Sequence, residues 1–175
     1  MRAFRSPELH VRVTAFVVLV IVGLVVLVGL SAIVLPAGYA ERQSWTACDL
    51  PSTTTALDRL ARGSVRDLLV YIPLYVAFCL GVVAVTSRGR RGRSWDRAAI
   101  GAIGAAAVAD VIETLLFRAT VLRLRDGESC SSVTSISDIT VVMSWLKWIS
   151  VGAFVVVVGI RVLLPADERS PLAAG

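Results

Sequence analysis

Four uninterrupted apolar stretches limit what this chain can become. They lie near residues 13–35, 68–86, 98–117 and 139–164, and each approaches or exceeds the roughly 20 helical residues needed to cross a bilayer. The first contains VVLVIVGLVVLVGL, with none of the polar–apolar alternation that marks a membrane β-strand. Valine favours strands in water. In lipid every backbone group must be satisfied within its own segment, so helix wins. The expectation is an all-α, four-transmembrane-helix bundle. The longest connection covers residues 36–67, too short for a separate soluble domain, so residues 1–175 read as a single integral membrane domain. Gly38-Tyr39-Ala40 offers small residues for a signal-peptide cleavage site. The apolar run before it exceeds the about 7–15 residues of a signal core, so the first helix is expected to be retained.

The basic residues orient the bundle. The chain has 18 Lys and Arg, 13 Asp and Glu and a net charge of +5; its pI is near 9.7. Such a balance can signal nucleic-acid binding, but the positions argue otherwise. Arg88, Arg90, Arg91, Arg93 and Arg97 crowd the link between the second and third stretches, and Arg2, Arg5 and Arg12 precede the first. Arginine-rich short flanks stay cytoplasmic. With both termini inside (N-in/C-in), ten arginines and four acids are cytoplasmic, against seven of each outside. The basic loop is a topology signal that can also attract anionic lipid headgroups; no nucleic-acid partner is expected.

Cysteine placement agrees with that orientation. Cys48 and Cys130 fall in the two outer loops and Cys79 within the second stretch. Two thiols on one oxidising face are available to pair, and a Cys48–Cys130 disulfide is expected. Cys79 reads as packing. The bias of arginine over lysine, with abundant Ala, Val and Gly, suggests a GC-rich bacterium and therefore a plasma membrane.

Between the first two stretches, Ser52-Thr53-Thr54-Thr55 supplies N-cap chemistry. Leu57, Leu60 and Ala61 then recur at helical spacing among Asp58, Arg59 and Arg62. A short amphipathic helix along the outer interface is predicted here, with a break at Gly63 and Asp67. Pro73 should sit in the first turns of the second membrane helix, where its missing donor matters least. Gly101, Ala105 and Ala109 form a small-residue series that admits close helix packing.

The chain's one lysine, Lys147, lies inside the fourth stretch, and Asp110 and Glu113 lie inside the third. A charge near a bilayer centre costs about 2.5–3.5 kcal/mol on the insertion scale, so such residues pair. From the helical rise, Lys147, Asp110 and Tyr75 fall in one layer about 12 Å below the outer edge. Asp110, Glu113 and Thr114 share one face of the third helix; Thr140, Ser144, Lys147 and Val151 share one face of the fourth. Two acids and one ammonium leave one surplus negative charge, to be met by a proton or a second cation, with Arg118 the nearest candidate. Trp145 and Trp148 flank Lys147 and could cover it.

Chemistry of other kinds is thinly represented. There is no C-x-x-C, no H-E-x-x-H, no G-x-S-x-G and no phosphate-binding glycine loop in a strand-to-helix context. The sole histidine, His10, lies in the N-terminal tail. A Ser144–Lys147 dyad has the spacing for catalysis but no oxyanion hole to serve it. No enzyme activity, metal or cofactor is expected. The favoured role is a non-enzymatic scaffold or partner-binding module, acting through a membrane-protein partner or as a homo-oligomer. The alternative is a small proton-coupled transporter using Asp110, Glu113 and Lys147.

Overall fold

The structure, a computed structural model, describes residues 7–35, 47–87 and 93–163. It is all-α. Helix α1 spans Pro7–Val34, α2 Thr54–Arg66, α3 Ile72–Ser87, α4 Arg93–Arg125 and α5 Thr134–Leu163. Four helical segments are long and apolar enough to cross a membrane: Val13–Val34, Thr54–Ser87, Ser94–Arg125 and Thr134–Val162.

The second of these corrects the expected break. Gly63 and Asp67 do not separate an interfacial helix from a spanning one. Instead α2 runs into α3 through one wider π turn, Asp67–Tyr71, in which the Ile72 amide reaches back to the Asp67 carbonyl. Pro73, in the interior of the continuous Thr54–Ser87 helix rather than at its start, accounts for the widening. It cannot donate to the carbonyl four residues back, and its ring crowds that carbonyl in a regular α-helix. A π turn just before the proline relieves the clash. The amphipathic segment is real, but its apolar face docks on the bundle. Leu57, Leu60 and Ala61 pack with Phe117 and Val121 of α4 and with Leu35 and Leu50.

Thr53 is the N-cap residue of α2, in the extended conformation expected of a cap. At its far end α4 stops where Gly127 adopts φ +92°. The Glu128 amide bonds the Arg123 carbonyl at 3.0 Å and the Gly127 amide bonds Leu124 at 3.1 Å. That pair of bonds is the glycine-terminated helix end that satisfies the last carbonyls.

Beyond α4, short 3₁₀ turns at Ala47–Asp49 and Cys130–Ser132 meet. Cys48 and Cys130 stand there at disulfide distance, with Cα atoms 5.1 Å apart. This is called the cysteine end below. Cys79 is buried and unpaired in the core, as expected of packing.

Two apolar clusters fill the interior. One, at the cysteine end, is that around Leu57 and Val121. The other joins Ile72, Cys79 and Val83 of α3 to Ile103 and Ala106 of α4 and Phe154 and Val158 of α5. Helix α1 is peripheral. Phe16 closes on Gly159, and Phe78 on Gly23, at distances that leave little room for a β-carbon, while most of the remaining α1 surface is exposed valine and isoleucine. The small-residue series is only partly used. Ala109 is buried, but Gly101 and Ala105 are exposed and open space lies beside Gly101.

Candidate functional site: a buried charge layer

Between the two apolar clusters lies a layer of polar side chains, and its centre is Lys147. The Nζ atom is 3.0 Å from a carboxylate oxygen of Asp110 and 2.6 Å from one of Glu113. The geometry follows from helical spacing. Asp110 and Glu113, three residues apart on α4, present their carboxyls to the same facing position on α5. Glu113 is 0 % exposed and Asp110 3 %, so water does not compete for these bonds. The Lys147 side chain keeps 14 % exposure. Its ammonium stands 5.8 Å from the Trp148 ring centroid, within the reach of a cation–π attraction. Trp148 and Trp145 both project outward.

Because α4 continues to Arg125 and α5 begins at Thr134, Lys147 falls near the midpoint of the Thr134–Val162 span. Tyr75 joins the layer as its spacing suggests. It is buried beside Asp110, and its hydroxyl meets no partner in hydrogen-bond geometry. Ser144 is half-buried and faces Glu113. Thr140, on the same stripe, instead returns its hydroxyl to the Ile136 carbonyl at 2.9 Å.

Arg118 does not supply the second cation. Its guanidinium donates to the Ala61 carbonyl at 2.8 Å, bracing α2 against α4 nearer the cysteine end. The layer instead gains a third acid. Asp67 is 2 % exposed and accepts a 2.9 Å hydrogen bond from the Thr114 hydroxyl. In sequence Asp67 reads as a loop residue that ends a helix. It enters the interior because the helix continues through it, and the Gly63–Arg66 stretch, with its polar neighbours, gives little sign of that. The sequence signal that could have found it is the α2 periodicity extended past Gly63: Leu57, Leu60, Ala61, Ser64 and Asp67 all lie on the buried face.

A second buried ion pair also escapes the sequence reading. Arg161 of α5 is buried against Asp96 of α4, and Asp96 accepts a 2.7 Å bond from the Ser87 hydroxyl. It ties the ends of α3, α4 and α5 together opposite the cysteine end. In the sequence these residues resemble ordinary flanking charges. Of the basic loop, Arg97 is exposed on α4 and Arg93 begins that helix; Arg88, Arg90 and Arg91 lie outside the described residues.

The chain matches no protein-family model, no curated protein and no solved structure. Its function has to be argued from the layer itself. Among the described residues no His, Cys, Asp and Glu come together in a group that could hold a metal ion. The arrangement can fix the axial register of three helices, or it can bind and release protons among the Asp110 and Glu113 carboxyls and the Lys147 amine.

Proposed function

We propose that the chain is a four-pass protein of a bacterial plasma membrane, with both termini cytoplasmic, that serves as a non-enzymatic scaffold or partner-binding module. The carrying observation is the closure of the charge layer: Lys147 contacts both Asp110 and Glu113, with the carboxyls shut from solvent. Groups so committed to one another act as a register lock, because a slip of one helix turn would strand each charge among apolar side chains. The Cys48–Cys130 pair, as a disulfide on the oxidising side, would close the opposite restraint across the outer loops. The exposed face at Gly101 and Ala105, unused by the chain's own helices, suits close approach by a helix of a second copy or of another membrane protein.

The test is a charge exchange. In the Asp110→Lys, Lys147→Asp double variant one ammonium still stands among two acids. Recovery of folding and of partner association, each lost in the single variants, is the expected result. Recovered folding with lost association would remove the scaffold reading.

One observation favours a second reading. Asp110 and Glu113 share a single ammonium, so neutrality of that cluster requires one further positive charge, and a proton is the simplest source. A small proton-coupled carrier would use it. Proteoliposomes under a pH gradient decide between the readings: a flux abolished by Asp110→Asn identifies a carrier, and no flux with any gradient leaves the scaffold.

A further inference from the structure

We infer that the groove between α2 and α4 at the cysteine end binds the headgroup of an anionic phospholipid through Arg62, Arg118 and Arg125. This site is separate from the charge layer and stands whichever reading of that layer holds. It also lies at the opposite end of the bundle from the end of α3 at Ser87.

The groove is a cavity of about 290 Å³ whose walls carry three arginines and one acid, Asp58, with Val65 and Leu122 beneath them. Two of the guanidiniums are held in place. Arg118 spends one N–H on the Ala61 carbonyl, 2.8 Å away, and Arg125 lies 3.4 Å from the Asp58 carboxylate and 3.3 Å from that of Asp126. Each guanidinium has five donors; Arg118 keeps most of its own for a ligand, and Arg125 keeps one N–H on each terminal nitrogen. Arg62 is exposed at the rim. With Asp58 and the neighbouring Asp126 counted, the three arginines leave one surplus positive charge at the groove. Planar guanidiniums recognise phosphate oxygens in pairs, and desolvate more readily than ammonium groups.

What lies below the charges selects a lipid over a free phosphate. On α2 the face carrying Asp58 and Arg62 continues one turn later into Val65 and, in the π turn beyond, into Leu69, which is 72 % exposed. On α4 the face carrying Arg125, Leu122 and Arg118 continues into Leu115, which is exposed. The charged mouth therefore opens onto two apolar strips descending along the bundle. A molecule with a phosphate and an acyl chain satisfies both parts at once, whereas a water-soluble phosphate leaves the strips uncovered.

The experiment is a lipid titration of the full-length protein in a neutral maltoside detergent, read by native mass spectrometry. Phosphatidylglycerol is compared with phosphatidylcholine of identical chains, and inorganic phosphate is the competitor. Retention of phosphatidylglycerol at least about tenfold above phosphatidylcholine is expected. Each arginine near an anionic surface adds about 1 kcal/mol, so Arg62→Gln should weaken that retention about fivefold. Arg62 is at the rim, so its replacement leaves the fold intact, which an unchanged melting temperature verifies. Arg62→Lys, keeping the charge and losing the planar fork, should fall between. Equal retention of the two lipids, or no change in an Arg62→Gln, Arg125→Gln double variant, overturns the site. Displacement of phosphatidylglycerol by an equal concentration of inorganic phosphate overturns its assignment to a lipid.

Discussion

Replacing Lys147 with methionine removes one charge and leaves the side-chain volume nearly unchanged, so its effect isolates the ion layer. At 3.0 Å from Asp110 and 2.6 Å from Glu113, each contact is worth about 5–6 kcal/mol in gross Coulomb energy at an effective dielectric of about 20. Most of that is offset in the native protein by the desolvation of three charged groups, which costs several kcal/mol per ion. In Lys147→Met the attraction disappears, but Asp110 and Glu113 stay desolvated and repel each other across three residues of one helix. Breaking a buried pair on one side costs about 3–5 kcal/mol, and that is the loss expected here. The triple variant Lys147→Met, Asp110→Asn, Glu113→Gln removes attraction and penalty together. It should recover most of the loss, because replacing a whole buried ion set by neutral groups of similar volume is often nearly neutral. The assay is unfolding in mixed anionic and maltoside micelles, followed by tryptophan fluorescence, with Trp145 and Trp148 beside the site as reporters. A loss below about 0.5 kcal/mol in Lys147→Met, typical of an exposed surface position, would refute the reasoning. So would a triple variant less stable than the single one.

Two further outcomes test the ends of the bundle. If Cys48 and Cys130 pair, they join positions 82 residues apart; Cys48→Ser should then cost about 2–4 kcal/mol against the oxidised protein and nothing against the reduced one, read in the same micelle titration with and without reductant. Arg161→Met strands Asp96 at the opposite end and should cost about 1–3 kcal/mol, less than Lys147→Met because Asp96 is partly exposed and keeps its bond from Ser87; Arg161→Met combined with Asp96→Asn should recover much of it.

What is legible in the amino-acid sequence and what is hidden divides along one physical line. Long apolar runs are visible in composition, so the four helices long and apolar enough to cross a membrane, and the meeting of Asp110, Glu113 and Lys147, follow from composition and a 3.6-residue period. Those three residues lie in the middle of long runs, where an error of a turn at either boundary leaves their facing unchanged. Asp67, Arg118, Asp96 and Arg161 lie near run ends, and there the same error decides between interior and surface. Asp67 is the sharpest case. Gly63 and a cluster of charged residues argue for a helix end, and Pro73 argues for a helix start nearby. Both signals are local, and the continuous helix overrides them through contacts that lie far away in sequence, Leu57 and Leu60 on Phe117 and Val121. The π turn that accommodates Pro73 is also what rotates the helix: one extra residue per turn shifts the facing of everything before it by about 100°. Asp67 thereby comes to face α4 while Tyr75 and Cys79 still face the core. Removing the proline therefore bears on the charge layer itself. Pro73→Ala permits a regular α-helix through Asp67–Tyr71, and a regular helix would turn Asp67 away from Thr114. The π turn and the third carboxylate are one feature, and a chain that loses the first should lose the second.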